Sequence, residues 1–132
     1  MVVRWGLLSA YADKAALIAW KVDDVTSFSP VDKYDVWHDR AVFHFLTRKS
    51  EREKYRDSLE RSIKVGGYVI IAAFSIGGHR RCSGLDIVQY NAKNLESELG
   101  KKFTLMKEQA DKYITPSGKE QSFGYYTFTR NA

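Results

Sequence analysis

One cysteine, Cys82, stands alone among 132 residues. A single thiol excludes an internal disulfide and any zinc site assembled from several thiolates. A small secreted scaffold is therefore not expected, and a reducing, cytoplasmic setting is. Long apolar runs are missing as well, since no window approaches the ~18 uninterrupted residues of a membrane span. The start, Met1-Val2-Val3-Arg4-Trp5-Gly6-Leu7-Leu8, carries one positive charge and a short apolar stretch broken by Asp13 and Lys14, without a small-residue cleavage site, so it does not read as a secretory leader. Proline is rare: Pro30 and Pro116 both sit in turn-like contexts, and neither a repeat nor a low-complexity segment is present. Charge of one sign is scarce too. The 21 Lys and Arg exceed the 16 Asp and Glu by only five, a balance that serves solubility rather than a nucleic-acid footprint.

What is there describes an ordinary globular chain, 44% hydrophobic and 28% charged, of a length that fits one domain over residues 1–132. Leu7, Leu8, Tyr11, Ala15 and Ala16 fall at helical spacing, and Leu17–Val22 reads as a short strand before the turn chemistry of Asp23 to Pro30. Tyr34–His38 predicts a second strand, and Arg40–Leu46 leans toward helix. The clearest helix follows. Ser50 is placed to cap it with Glu53 as capping-box partner, Tyr55, Leu59 and Ile63 repeat on one face, and Gly66-Gly67 is placed to end it.

Tyr68–Phe74 is a continuous, partly β-branched apolar run, as expected for a strand covered on both faces. Gly77 to Gly84 is a polar loop holding His79, Arg80, Arg81 and Cys82. A helix over Ala92–Leu99 is capped by Asn91 and stopped by Gly100. Phe103–Met106 and Ser122–Thr129 flank a Thr115-Pro116-Ser117-Gly118 turn and predict a closing antiparallel hairpin. The order strand, strand, helix, strand, helix, hairpin is α/β with a mixed sheet.

Four segments carry a likeness to a known family, in that family's order. They are Val22-Asp23-Asp24-Val25-Thr26, the run Tyr34-Asp35-Val36-Trp37-His38-Asp39-Arg40 through Leu46, the turn Lys64-Val65-Gly66-Gly67-Tyr68, and the closing hairpin Phe103 through Arg130. From about Trp20 onward the chain resembles the C-terminal part of a class I S-adenosylmethionine-dependent methyltransferase. The resemblance implies a Rossmann-like sheet, mixed, with flanking helices and a C-terminal antiparallel hairpin. Val65 stands where proline is usual. A larger departure is that no Gly-x-Gly occurs anywhere, so the glycine-rich turn and the acidic strand end that grip the donor's amino-acid and ribose parts are missing. The implied object is this fold truncated, lacking its first two strands.

By the same resemblance Asp24 would accept a hydrogen bond from the adenine amino group of S-adenosylmethionine, with the backbone N–H of Val25 beside it; taken alone, the two aspartates are a turn. His38, Asp39 and Arg40 lie at the carboxyl end of a predicted central strand, where open α/β sheets place ligands. A histidine there can act as general base or orient a substrate, and an adjacent carboxylate can assist. The structural reading of the same residues is that Asp39 caps the following element and Arg40 pairs with a carboxylate. His44 reads as a half-buried structural side chain, Cys82 as an unreactive thiol despite its arginine neighbours, and the tryptophans as packing groups. No metal site is expected.

In the full fold the strand Tyr34–His38 would have a neighbour on each side; here one edge is left unpaired. A homodimer through that edge is expected, with a shift of Leu17–Val22 into the gap as the alternative. The expected function is a methyltransferase-like domain for an unknown small acceptor, not active by itself, or else a non-catalytic homodimeric binding or assembly module.

Overall fold

The computed structural model describes residues 15–132 apart from His79 and Ser83. The helix expected near the start lies almost wholly outside them, and Ala15–Leu17 forms a short 3-10 turn. The order that follows is β1 (Tyr34–Arg40), a 3-10 turn (Phe43–Phe45), α1 (Lys49–Ser62), β2 (Ile63–Phe74), β3 (Arg81–Cys82), β4 (Leu85–Asp86), α2 (Ala92–Leu99), β5 (Phe103–Ile114) and β6 (Glu120–Arg130). Four strands make one mixed sheet in the order β1-β2-β6-β5, while β3 and β4 pair separately. β1 and β2 run parallel; β6 is antiparallel to both of its neighbours.

Period-two alternation along β2 separates the layers of the molecule. Val69, Ile71 and Ala73 join Tyr126 and Phe128 of β6 and Phe103 of β5 on one face, and Tyr55 and Leu59 of α1 with Leu95 and Leu99 of α2 close over them. On the other face Ala72 and Phe74 pack with Phe123, Cys82 and Ile87. Both faces of β2's carboxyl half are thus buried, as the uninterrupted apolar run implied. Cys82 is half-buried in this second cluster, and Arg81 is engaged with Asp86 at 3.3 Å.

Several expectations change. Residues 18–24 contain no strand over Leu17–Val22; Leu17 and Val22 are more than four-fifths exposed, because an apolar run becomes a strand only where a neighbour supplies its ladder. α1 starts one residue before Ser50, with Arg48 at the cap position and no side-chain cap. Glu53 turns to Lys49, 3.9 Å away, so the capping box does not form. Gly66-Gly67 does not end the helix. Ile63 ends it by turning extended, its N–H still bonded to Leu59 O, and the glycines fall inside β2. There the pairing slips between Tyr34↔Ile63 and Val36↔Tyr68, with Gly66 at φ +83°. Gly67 is required by close approach: a Cβ would lie 2.8 Å from Asp35 O.

Arg40 belongs to the strand, and of Arg40–Leu46 only Phe43–Phe45 is helical, as one 3-10 turn. α2 follows expectation, with Asn94 N–H donating to Asn91 Oδ1 at 2.8 Å and Gly100 at φ +79° closing it. The hairpin is longer than the sequence suggested: β5 and β6 pair from Phe103↔Arg130 to Ile114↔Glu120.

Candidate functional site

The carboxyl end of β1 is fixed by one carboxylate. Asp39 Oδ1 accepts the N–H of Val42 at 2.8 Å, and its Oδ2 accepts the N–H of Phe43 at 3.0 Å and the hydroxyl of Tyr55 at 2.5 Å. Burial pushes the Asp39 carboxyl above the usual carboxylate range; the bonds from Tyr55, Val42 and Phe43 oppose that shift without cancelling it. Between Asp39 and Val42 the chain passes through Ala41 at φ +64°, a left-handed conformation that a residue with a Cβ adopts at a cost, held by its own N–H on Ala72 O at 2.9 Å. Tyr55 in turn accepts the indole N–H of Trp37 at 3.0 Å. Burial and the Asp39 charge drive the Tyr55 hydroxyl well above its ordinary value, so it serves as a neutral donor.

Trp37 thereby becomes part of an aromatic wall. Phe28 lies 6.2 Å from Tyr34 in a stacked arrangement and 6.0 Å from Trp37 edge-on. Arg61 of α1 anchors the segment carrying Phe28 by donating to Phe28 O at 3.2 Å. Upstream in the same segment, Asp24 Oδ1 accepts both the N–H and the hydroxyl of Thr26, at 2.8 and 2.7 Å, which holds this exposed carboxyl below its usual range. Val25 is half-buried and packs on the main core.

Between that segment and the edge of β1 lies a cavity of about 1050 Å³. Asp24, Val25, His38, Asp39 and Arg40 all line it, together with Lys21, Asp23, Phe28, Tyr34 and Trp37. Strand alternation divides the β1 residues between two faces. Trp37 and Asp39 turn toward α1, whereas His38 and Arg40 lie on the opposite side, where Arg40 Cζ sits 6.0 Å from the centre of the Tyr113 ring in β5. His38 and Asp39 therefore do not meet as a side-chain pair. Asp39 caps the turn after β1, and Arg40 meets a ring rather than a carboxylate.

Elsewhere, His44 is fully buried between Phe45 and Phe74, with ring centroids at 4.5 and 5.1 Å, and neither ring nitrogen has a partner among the described residues. Burial pulls its pKa down to about 4. The sequence reading missed Phe28, Tyr34 and Tyr55 as parts of the site. Tyr55 was visible as the first apolar position of α1, but its bond to Asp39 joins residues 16 apart, which periodicity does not report.

Sheet order, parallel β1–β2 pairing and the antiparallel closing hairpin are the fold of class I S-adenosylmethionine-dependent methyltransferases, and solved structures of such enzymes match it across most of the chain. One is the 1,6-didemethyltoxoflavin-N1-methyltransferase of Burkholderia thailandensis with bound 1,6-didemethyltoxoflavin and S-adenosylhomocysteine, at a TM-score of 0.74 and 12% identity over 99% of this chain and 59% of that one. Another is the N-methyltransferase NodS of Bradyrhizobium japonicum in complex with S-adenosylhomocysteine, at 0.68 and 12% over 95% and 62%. A third is an S-adenosylmethionine-dependent methyltransferase of Methanosarcina mazei, at 0.67 and 15% over 84% and 66%. The chain thus spans about two thirds or less of these enzymes. No protein-family model matches it, and no curated protein matches it. Among the described residues no helix is long and apolar enough to cross a membrane.

Proposed function

We propose that these residues form the adenine-side and acceptor-side walls of a site for methyl transfer from S-adenosylmethionine to a small acceptor. The donor, when bound, supplies an electrophilic methyl group on its sulfonium. The fit rests on the chemistry of the walls: an exposed carboxylate at Asp24 with one oxygen committed to Thr26, beside an aromatic wall in which Phe28 stacks on Tyr34 and meets Trp37 edge-on. Asp24 would accept from an exocyclic amine, Val25 would offer its backbone N–H, and the rings would cover a planar base. On the acceptor side His38 would take up the acceptor's proton and Arg40 would orient it. Asp39 fixes the turn that follows them. No Gly-x-Gly turn is among these residues, so the rest of the donor site would come from outside them.

One observation carries this reading: five residues singled out along the sequence, from two separate segments, line one cavity at the carboxyl end of a parallel strand. Titration calorimetry with S-adenosylhomocysteine, followed in parallel by Trp fluorescence, tests it. Weak binding by the folded chain is expected, reduced about tenfold by Asp24→Ala. Absence of heat at millimolar ligand, or equal heat from both proteins, refutes the assignment.

A further inference from the structure

Arg40 lines the cavity and finds no counter-charge in it. The three carboxylates of the lining face other groups: Asp39 holds Val42, Phe43 and Tyr55, Asp24 holds Thr26, and Asp23 accepts the N–H of Asp24 at 2.8 Å. Asp111 of β5, on the same face of the sheet as Arg40, turns to the N–H of Lys112 at 2.8 Å. Among the described residues the Arg40 guanidinium has no ion pair and no side-chain hydrogen bond.

What Arg40 meets is an aromatic ring. Its Cζ lies over the Tyr113 ring, 6.0 Å from the centre. β1 and β5 are the two edges of the sheet, with β2 and β6 between them. Strands spaced ~4.8 Å apart put those edges ~14 Å from one another, so both side chains reach across the sheet to meet. Ala72, next to Arg40 in the ladder, bears too small a side chain to obstruct that reach. A ring holds a guanidinium by its flat face and leaves its edge open. The edge carries the N–H groups, whose fork matches a carboxylate with two parallel hydrogen bonds.

His38 sets how far from that edge a reacting group would stand. It precedes Arg40 by two residues on the same face of β1, and such neighbours are ~6.6–6.8 Å apart along a strand. We infer that the acceptor is a small hydroxy acid: its carboxylate binds the edge of Arg40, and its nucleophilic hydroxyl stands ~7 Å away at His38. Tyr113 is a positioning residue that holds the guanidinium for it. The role of His38 rests on the methyl-transfer reading, whereas the anion site needs only Arg40 and Tyr113.

The test titrates the full chain by calorimetry, without donor, using 4-hydroxybenzoate, whose rigid ring sets hydroxyl and carboxylate at about that separation. The comparison ligand is 4-hydroxybenzamide, of the same shape without the charge. The acid should bind about tenfold or more tightly than the amide. Arg40→Gln should abolish that difference, and Tyr113→Leu should weaken acid binding about threefold. Arg40→Lys, which keeps the charge and loses the fork, should recover only part of the affinity; circular dichroism melts check that each variant folds. Equal affinity for acid and amide, no binding of the acid, or acid binding that survives Arg40→Gln overturns the inference. A parallel titration with S-adenosylhomocysteine separates the two readings. Arg40-dependent acid binding by a chain that takes no S-adenosylhomocysteine sustains the anion site and refutes methyl transfer; S-adenosylhomocysteine binding without Arg40-dependent acid binding does the reverse.

Discussion

Replacing Tyr55 by phenylalanine removes one oxygen from a side chain that is fully buried and leaves the ring in place. That oxygen makes two contacts. It donates to Asp39 Oδ2 at 2.5 Å, a hydrogen bond to a charged acceptor worth ~1.5–3 kcal/mol, and it accepts the Trp37 indole N–H at 3.0 Å, worth ~0.5–1.5 kcal/mol. The ring's contacts with Phe43 at 4.7 Å and Trp37 at 5.6 Å survive, so packing contributes little to the difference. The expected loss is therefore ~2–4 kcal/mol, a large share of the ~5–15 kcal/mol that holds a domain together. Urea unfolding followed by circular dichroism measures it, and the unfolding slope should be unchanged. Trp fluorescence of the native variant should change as well, because Trp37 loses the bond that fixes its indole at the cavity wall. A loss below about 0.5 kcal/mol with an unaltered emission spectrum would refute the chain from Trp37 through Tyr55 to Asp39.

Two further outcomes test the packing. His44 is neutral in the fold with a pKa of about 4, below the ordinary 6.5, so the unfolded chain takes up a proton first as pH falls. Its contribution to stability is whole above pH 6.5 and declines down to pH 4, by about 3 kcal/mol. His44→Leu should remove that part of the slope in unfolding measured across the same range; identical slopes in both proteins argue against a neutral buried ring. Gly67→Ala should cost more than Gly66→Ala. The first puts a Cβ 2.8 Å from Asp35 O and 2.9 Å from Lys64 O, a backbone clash expected to cost ~1–3 kcal/mol, while the second meets open space and costs ~1 kcal/mol for its left-handed backbone. Thermal melts giving the reverse order would contradict the bulge at the start of β2.

Local physics was legible in the sequence wherever a short segment carries its own instruction. Asn91 and Gly100 bounded α2 because a cap and a left-handed glycine act within a few residues. The run Tyr68–Phe74 announced a strand, which is buried on both sides over its carboxyl half, and the Thr115–Gly118 turn announced the hairpin. The order of elements was enough to give a mixed sheet with a parallel pair. Asp24, Val25, His38, Asp39 and Arg40 were singled out from their segments, and the structure brings all five to the lining of one cavity.

Tertiary structure decided the rest. Leu17–Val22 has strand-forming residues and no strand, because a ladder needs a neighbour that the segment cannot supply. The pair Gly66-Gly67 looks like a helix stop in one dimension; Asp35 O, brought close by β1, makes it a bulge instead. Asp39 reads as a partner for His38 in sequence, yet strand alternation puts them on opposite faces, and Tyr55, sixteen residues away, takes the carboxylate. A sequence fixes which groups are available and how each short stretch prefers to bend. Which of them meet depends on contacts between distant segments, whose energies exist only after the chain has closed on itself.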